Sequence, residues 1–410
     1  MTSSPVPSSP SSPVVVGHRG FKSQYTENSL LGFGKCYESG ATVIETDLWL
    51  ASDDVIVISH DVNTKRVFVD SKGNETDYVI LKTPYEPVLK HLQTKEGRYP
   101  LLSFVDLLKW FTKYVEEHGD NVEEGKLKIQ LDIKKFNPTK ITKYIVQDLL
   151  SVKNDITWWF GRIQFGIWDL KFLKYLNQDE FFQREELRKI DEEGFTQFDI
   201  FHISLNWRDS INYINYNEYL DETTPKNRKV LKLTGVSLIY VSTWSTEFLT
   251  KFVPLLRIQH LKLYSWTVNN KFQYEYLARV GKLAKLVEYG IISDYPDVIV
   301  DIKHHSREGQ ENVSNGEYLS EEESQPLVLK DYESSQYFNE DGELNIELTY
   351  FQRMFHWIFT VVMSLNGSSR NIRTDAQKFG AKVDDSKIEQ IKINPFASKI
   401  FQTCQKYGVF

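Results

Sequence analysis

Four groups of polar side chains in this 410-residue chain sit where packing alone would not put them. The apolar run Val14–Val16 leads directly into Gly17-His18-Arg19-Gly20. A second run, Thr42–Asp47, carries Glu45 and Asp47 at i and i+2, and LKIQLDIK carries Asp132 and Lys134 at the same spacing. VIVIS runs into His60-Asp61. On a strand, residues two apart share a face, so Glu45 and Asp47 stand as two carboxylates side by side on an apolar element. Their mutual repulsion and desolvation are unfavourable, and a divalent cation offsets both. Hard carboxylate oxygens suit Mg²⁺ or Ca²⁺ rather than Zn²⁺; a salt-bridged strand terminus is the alternative. Asp132 could be a third carboxylate ligand, and Lys134 could balance charge or hold a phosphate oxygen as a point charge. An Asp-x-Lys at a strand end is common and decides nothing by itself. His18 and His60, each abutting a strand, could divide acid and base roles around one substrate, although a lone histidine in such a place is ordinarily a packed one. Trp266, in YSWTVNN, reads as core or pocket wall, and His202, in IFHIS, as a core histidine.

For these groups to act together, strands must bring their ends to one face. Eight strands are predicted: Val14–Gly17, Thr42–Asp47, Lys126–Ile133, Ile163–Trp168, Phe198–Ser204, Gly235–Tyr240, His260–Val268 and Val287–Ser293. Most are near-continuous apolar runs, as in a parallel sheet buried on both faces. Helical patterns lie between them, including Leu101–His118, Thr139–Val152 and Glu247–Leu256. The alternation predicts an α/β fold, a (β/α)₈ TIM barrel, with a doubly wound sheet as the competitor. The polar residues favour the barrel, whose catalytic groups collect at the C-terminal strand ends. His18 and Arg19 follow the first strand, Glu45 and Asp47 end the second, and Asp132 and Lys134 end the third. Trp266 ends the seventh, and Asp294 with Pro296 follows the eighth. The first helix is expected to be capped by Thr26, with Glu27 in its first turn and Gly40 after its end. Gln178–Phe195 reads as an inserted helix-loop.

Composition narrows the function. A net charge of −7 provides no global positive field, which argues against a nucleic-acid partner. Hydrophobic content of 41% and charged content of 26% are those of a globular chain. Cys36 and Cys404 form no metal-ligand or disulfide pattern. Residues 1–13 read as a disordered Ser/Pro leader without the apolar core of a secretory signal, which together with the scarcity of cysteine favours the cytosolic side of a membrane. The barrel is expected over 14–300, a polar acidic linker over 301–345 and a C-terminal extension over 346–410. The apolar part of that extension is Leu348–Leu365, whose uncharged portion from Met354 is too short to span a bilayer. It reads either as a buried helix or as a membrane-interface helix, with Arg353 and His356 near the headgroups and Trp357 in the acyl boundary.

Together these residues resemble a known signature. GHRG, six residues, then Glu27-Asn28, the first helix and GATVIETDLWLASDDVIVISHD look like the glycerophosphodiester phosphodiesterase domain, in register over about 45 residues. LDIK, YSWTVNN and SDYPD are later landmarks, and the resemblance covers Val14–Val300. It implies a (β/α)₈ barrel that hydrolyses phosphodiesters with one divalent cation, Mg²⁺ or alternatively Ca²⁺. It further implies that His18 and His60 are the acid/base pair, that Glu45, Asp47 and Asp132 are metal ligands, and that Arg19 and Lys134 contact phosphate. Glu27 is expected to support that shell, and Trp266 to line the substrate site. Two departures stand out: Asp132 is where the family often has Glu, and the usual Thr-x-Asp-Gly turn reads Ala51-Ser52-Asp53-Asp54, which is strained if a positive φ is needed there.

VKNDITWWFGRIQFGIWDL, GVSLIYVSTWSTEF and YSWTVNN are similar to the fungal subgroup that acts on phosphatidylglycerol as a phospholipase C. That resemblance implies a glycerophospholipid substrate cleaved to diacylglycerol and glycerol phosphate. It also implies a membrane-surface partner and the cytosolic face of lipid-droplet, mitochondrial or endoplasmic-reticulum membranes. The extension is then membrane-associating, and Trp158–Trp159 and Tyr240–Trp244 are expected to dip into the interface or to pack the barrel. Competing readings are hydrolysis of soluble deacylated phospholipids, a lysophospholipase D, and a non-catalytic lipid-binding barrel.

Overall fold

The computed structural model describes residues 12–120, 125–190, 196–314, 346, 348–365 and 379–385. Within them the apolar runs form eight strands: β1 Val14–Gly17, β2 Val43–Leu50, β3 Lys128–Ile133, β4 Ile163–Ile167, β5 Asp199–Ser204, β6 Gly235–Ile239, β7 Lys262–Trp266 and β8 Tyr289–Ser293. Each pairs in parallel with the next, and β1 pairs with both β2 and β8, through Val16↔Val43 and Val14↔Gly290. The sheet is therefore closed, which excludes the doubly wound alternative. Its strands are buried on both faces, against one another inside (Val16, Val43, Phe201, Tyr264, Ile292) and against the helices outside. β2 runs past Asp47 to Leu50 because its last residues form an antiparallel pair with Ile56–Ile58. Asp47 thus lies within the strand rather than at its end.

The helices are α1 Leu30–Glu38, α2 Phe104–His118, α3 Ile141–Val152, α4 Ile156–Phe160, α5 Leu170–Gln178, α6 Trp207–Thr223, α7 Val253–Ile258, α8 Lys271–Leu283, α9 Pro296–Ser314 and α10 Tyr350–Leu365. α1 begins later than its sequence suggests. Ser29, not Thr26, is its cap, accepting from the Gly32 amide, while the Thr26 hydroxyl donates to the Glu96 carbonyl. Residues 26–28 instead fold back on the loop after β1, where the Asn28 amide donates to the Arg19 carbonyl at 3.0 Å. In place of an inserted helix, Gln178–Phe195 contains the 3₁₀ turns Glu180–Gln183 and Glu185–Leu187, which bury Phe181, Phe182 and Leu187. Residues 191–195 lie outside the described residues.

α9 continues to Ser314, through the boundary expected at 301, and most of the expected linker lies outside the described residues. α10 packs one face on the loop after β6: His356 Nδ1 is 2.9 Å from the Val241 carbonyl, and the Phe351 and Phe355 rings meet Trp244. Ile346, Leu348 and Gln352 are buried there, whereas Tyr350 and Trp357 are 82% and 65% exposed. His356 therefore serves as a docking contact rather than a headgroup residue. Trp159 and Tyr240–Trp244 are buried, which removes them from any interfacial role; Trp158 is half-buried beside Lys153 and Arg162. No helix among the described residues is long and apolar enough to cross a membrane.

Candidate active site

The site starts with the backbone after β1. A Cβ on Gly17 would lie 2.2 Å from both Cys36 Sγ and the Gly20 carbonyl oxygen, so only glycine permits the close turn. Arg19 and Gly20 follow in the left-handed region, at φ +52° and +87°. The chain doubles back, and the Arg19 amide points at Glu45 Oε2, 2.8 Å away. Asn28, also left-handed at φ +56°, donates from its side-chain amide to Asp47 Oδ2 at 2.9 Å and accepts from the Thr46 hydroxyl at 2.8 Å. GHRG and Glu27-Asn28 are thus one physical unit. The first presents a backbone donor to one carboxylate of the pair, and the second presents a side-chain donor to the other. Positive φ at non-glycine residues costs about 1 kcal/mol or more each, and here it orients both donors.

Register supplies the third carboxylate. Asp47 and Asp132 are direct partners in the β2–β3 ladder, and Glu45 lies two residues back on the same face. One oxygen from each of Glu45, Asp47 and Asp132 lies within 4.8 Å of the others, and all three residues are buried. Lys134 Nζ bridges Asp47 Oδ1 and Asp132 Oδ2, at 2.6 Å from each, and Trp168 Nε1 donates to Asp132 Oδ1 at 2.6 Å. Burial, with the charges of Asp47 and Asp132, pushes Glu45 well above the usual carboxylate range. For Asp47, burial is overcome by Lys134, His60 and Arg19, which hold it well below. Burial raises Asp132 despite Lys134. Lys134 and Arg19 thus keep Asp47 ionised, whereas burial makes Glu45 the carboxylate least ready to ionise until a cation joins it. Three hard oxygen donors with an excess of negative charge fit a divalent cation of the Mg²⁺ or Ca²⁺ type, and the absence of sulfur and imidazole from the triad disfavours a softer metal.

The two histidines are held alike. His18 Nδ1 lies 2.6 Å from Asp294 Oδ1, and the other Asp294 oxygen accepts from Asn269 Nδ2 at 3.0 Å. His60 Nδ1 lies 2.7 Å from Asp61 Oδ1, and Arg66 Nε donates to Asp61 Oδ2 at 2.6 Å. A carboxylate on Nδ1 fixes the tautomer and leaves Nε2 as the nitrogen for proton transfer. Burial and the Arg19 charge lower His18 against the opposing pull of Asp294. Burial, Arg19 and Lys134 lower His60 to about 3. Both histidines open on one cleft of about 670 Å³, including its solvent-open mouth. Arg19, Lys22, the carboxylate triad and Lys134 line it, as do Trp168, Ile203, Trp266 and Ile292.

His18, Arg19, Glu45, Asp47, His60, Asp132, Lys134 and Trp266 therefore converge as their sequence positions suggest. Glu27 does not line the cleft. Arg66 binds both its oxygens, at 2.9 and 2.6 Å, and Arg19 Nη1 donates to it at 3.3 Å. These cations, working against burial, lower it to about 2. Trp168, Lys22, Asp61 and Arg66 have no role in the sequence reading, and Asp294 appears there only as a strand-end residue. Asp61, beside His60, could have been found by adjacency; nothing local marks Arg66. In the turn without glycine, Asp54 does adopt a positive φ of +65°, and its carboxylate is held by Lys140 at 2.6 Å and the Tyr144 hydroxyl at 2.8 Å.

Residues 18–298 match the Glycerophosphoryl diester phosphodiesterase family. The chain belongs to this family. An uncharacterized protein of Bacillus subtilis, YqiK, is 35% identical over 101 residues, 24% of this chain and 40% of its own length. A glycerophosphodiester phosphodiesterase of Bacillus altitudinis is 38% identical over 64 residues, 16% of this chain and 26% of that protein. These matches span less than half the length of either curated relative. The crystal structure of a glycerophosphodiester phosphodiesterase from Parabacteroides distasonis aligns with a TM-score of 0.50 at 18% identity, covering 72% of this chain and 98% of that one, a likeness of fold. Membership in the family accords with the acidic triad, the paired histidines and the cleft described above.

Proposed function

We propose that the protein hydrolyses a glycerophosphodiester at this cleft, with Mg²⁺ as the cation of the Glu45–Asp47–Asp132 triad. The observation that carries the reading is the pairing of two histidines, each with Nδ1 tied to a carboxylate, around the same cleft as the triad. When bound, the cation polarises the phosphorus and lowers the pKa of a hydroxyl or water beside it. Arg19 and Lys134 hold the nonbridging phosphate oxygens and stabilise the charge that grows on them. One imidazole takes the nucleophile's proton at Nε2, and the other gives its proton to the leaving oxygen. Burial and nearby cations lower both imidazoles, so the one that acts as acid gains its proton on substrate binding. Beyond burial, Arg19 depresses both, Lys22 adds to it at His18 and Lys134 at His60; a phosphodiester anion between them offsets these cations and raises the proton affinity of both. The nucleophile is either water or a free glycerol hydroxyl; the latter would form a cyclic phosphate that water then opens.

A second reading, phosphatidylglycerol cleaved to diacylglycerol and glycerol phosphate, is favoured by the exposed aromatic face of α10, which carries Tyr350 and Trp357. Such a face suits a membrane interface, in keeping with the resemblance to the fungal subgroup and with a location on the cytosolic face of lipid-droplet, mitochondrial or endoplasmic-reticulum membranes. The test is product analysis after incubation with a soluble glycerophosphodiester or with phosphatidylglycerol micelles, in Mg²⁺ or EDTA. Metal-dependent release of glycerol phosphate from the soluble substrate is the expected result. Diacylglycerol from the micelles would establish the lipid reading as well, and no turnover of either would overturn both. In liposome flotation, Tyr350→Asp with Trp357→Asp is expected to reduce binding without lowering Tm; unchanged flotation would remove α10 from membrane attachment.

A further inference from the structure

Arg66 lies outside the cleft lining, and its side chain is 49% exposed. An exposed ion pair of that kind ordinarily contributes little. This one is different because of what it joins. Nε donates to Asp61 Oδ2 at 2.6 Å and Nη2 to Asp61 Oδ1 at 3.3 Å. On its other edge, Nη1 donates to Glu27 Oε2 at 2.9 Å and Nη2 to Glu27 Oε1 at 2.6 Å. Each carboxylate has a second partner at the reaction centre: Asp61 holds His60 Nδ1, and Glu27 holds Arg19 Nη1. An unbroken chain therefore runs from His60 through Asp61, Arg66 and Glu27 to Arg19. His60 is one of the two proton-transfer groups and Arg19 is the buried phosphate contact, and they come from separate segments: Arg19 from the turn after β1, His60 from the stretch after Ile56–Ile58.

We propose that Arg66 is a positioning residue for the hydrolysis described above: one guanidinium fixes, at the same time, the carboxylate that orients His60 and the carboxylate that orients Arg19. The inference rests on the phosphodiesterase reading. A guanidinium can grip two carboxylates through two edges because its donors are rigid and planar; an ammonium is a single point and cannot reproduce both grips. Without Arg66, Asp61 is free to turn toward solvent and Glu27 keeps only Arg19. The imidazole and the guanidinium of Arg19 then lose their fixed separation, and misplacement by about 1 Å at a reacting group costs roughly 10²-fold in rate.

The experiment is steady-state kinetics on a soluble glycerophosphodiester, with the wild-type protein, Arg66→Met and Arg66→Lys. Both variants are expected to lose about 10²-fold in kcat, with a much smaller change in KM and with Tm close to wild type. Lysine keeps the charge and the stem, so failure of Arg66→Lys to restore kcat separates geometry from charge and from packing. A double-mutant cycle gives the sharper readout. Arg66→Met should be strongly non-additive with Asp61→Asn, because both cut the same chain, and additive with Asp294→Asn, which acts on the other histidine. Full activity in Arg66→Lys, additivity with Asp61→Asn, or a loss of kcat that follows Tm would overturn the inference while leaving the hydrolase reading intact. A wild-type protein that turns over no glycerophosphodiester would overturn the reading beneath it instead.

Discussion

The two histidines reach the same arrangement by different routes. His60 takes its carboxylate from the next residue, Asp61, and that pair sits on a segment whose side chains are about one-quarter exposed. His18 takes its carboxylate from Asp294, 276 residues away, at a seam that exists only because β1 closes on β8. That pair is less exposed, at 15% for each side chain, and Asn269 and Lys22 flank its carboxylate. The difference teaches where the site is vulnerable. On the His60 side the orienting contact is local, and Arg66 holds its carboxylate from a partly solvated side, so solvent can reshape it if Arg66 is lost. On the His18 side the contact depends on barrel closure, and little water is at hand to replace a lost partner.

The largest effects should come from the imidazoles themselves. His18→Ala and His60→Ala are each expected to lower kcat by at least about 10²-fold to 10⁴-fold without unfolding the barrel, as read by kinetics and circular dichroism. Normal turnover in either would break the symmetry of the pair. Next come the orienting carboxylates. Asp294→Asn should cost about 10²-fold and Asp61→Asn about 10-fold in kcat, within the range seen when a partner behind a reacting group is removed. The reverse order would mean that local adjacency, not closure, sets how firmly an imidazole is held.

The smallest effect is in stability. An imidazole held neutral in the fold is protonated more readily in the unfolded chain. For His60, with a folded value of about 3 against 6.5, the unfolded state binds the extra proton as pH falls from 6.5 toward 3, and stability falls with it. Glu27, lowered to about 2 from 4.5, acts in the same direction below pH 4.5. Glu45 and Asp132, raised by burial, act in the opposite direction, so the readout is the difference between wild type and variant. His60→Gln should gain Tm relative to wild type as pH falls from 6.5 toward 3, more than a surface histidine substitution does, and a difference that stays constant over that range would contradict the lowering of His60.

Much of the site is legible in the chain because its residues ride on strands. Period-two placement puts Glu45 with Asp47 on one face, and Asp132 with Lys134 on another strand's matching face, before any partner is known. The apolar runs that carry them announce a parallel sheet. The first helix starts later than its sequence suggests, at Leu30 after the Ser29 cap, for a physical reason. Thr26-Glu27 has the chemistry of a cap, yet the left-handed Asn28 turns that segment onto the Arg19 carbonyl and frees Glu27 for Arg66. The aromatic stretch Tyr240–Trp244 has the composition of an interfacial loop, and α10 covers it instead.

What the sequence determined by itself is therefore which residue types sit at which strand ends, and the one orienting contact between neighbours, His60 and Asp61. Tertiary structure alone decided that Asp47 faces Asp132 across the β2–β3 ladder, that Asp294 reaches His18, that Arg66 grips Glu27 from 39 residues away, and that α10 docks beside the loop after β6. The reason is physical. Side-chain periodicity is a property of a few consecutive residues, whereas register, barrel closure and long-range ion pairs depend on which strands meet, and only the packing of the whole barrel specifies that.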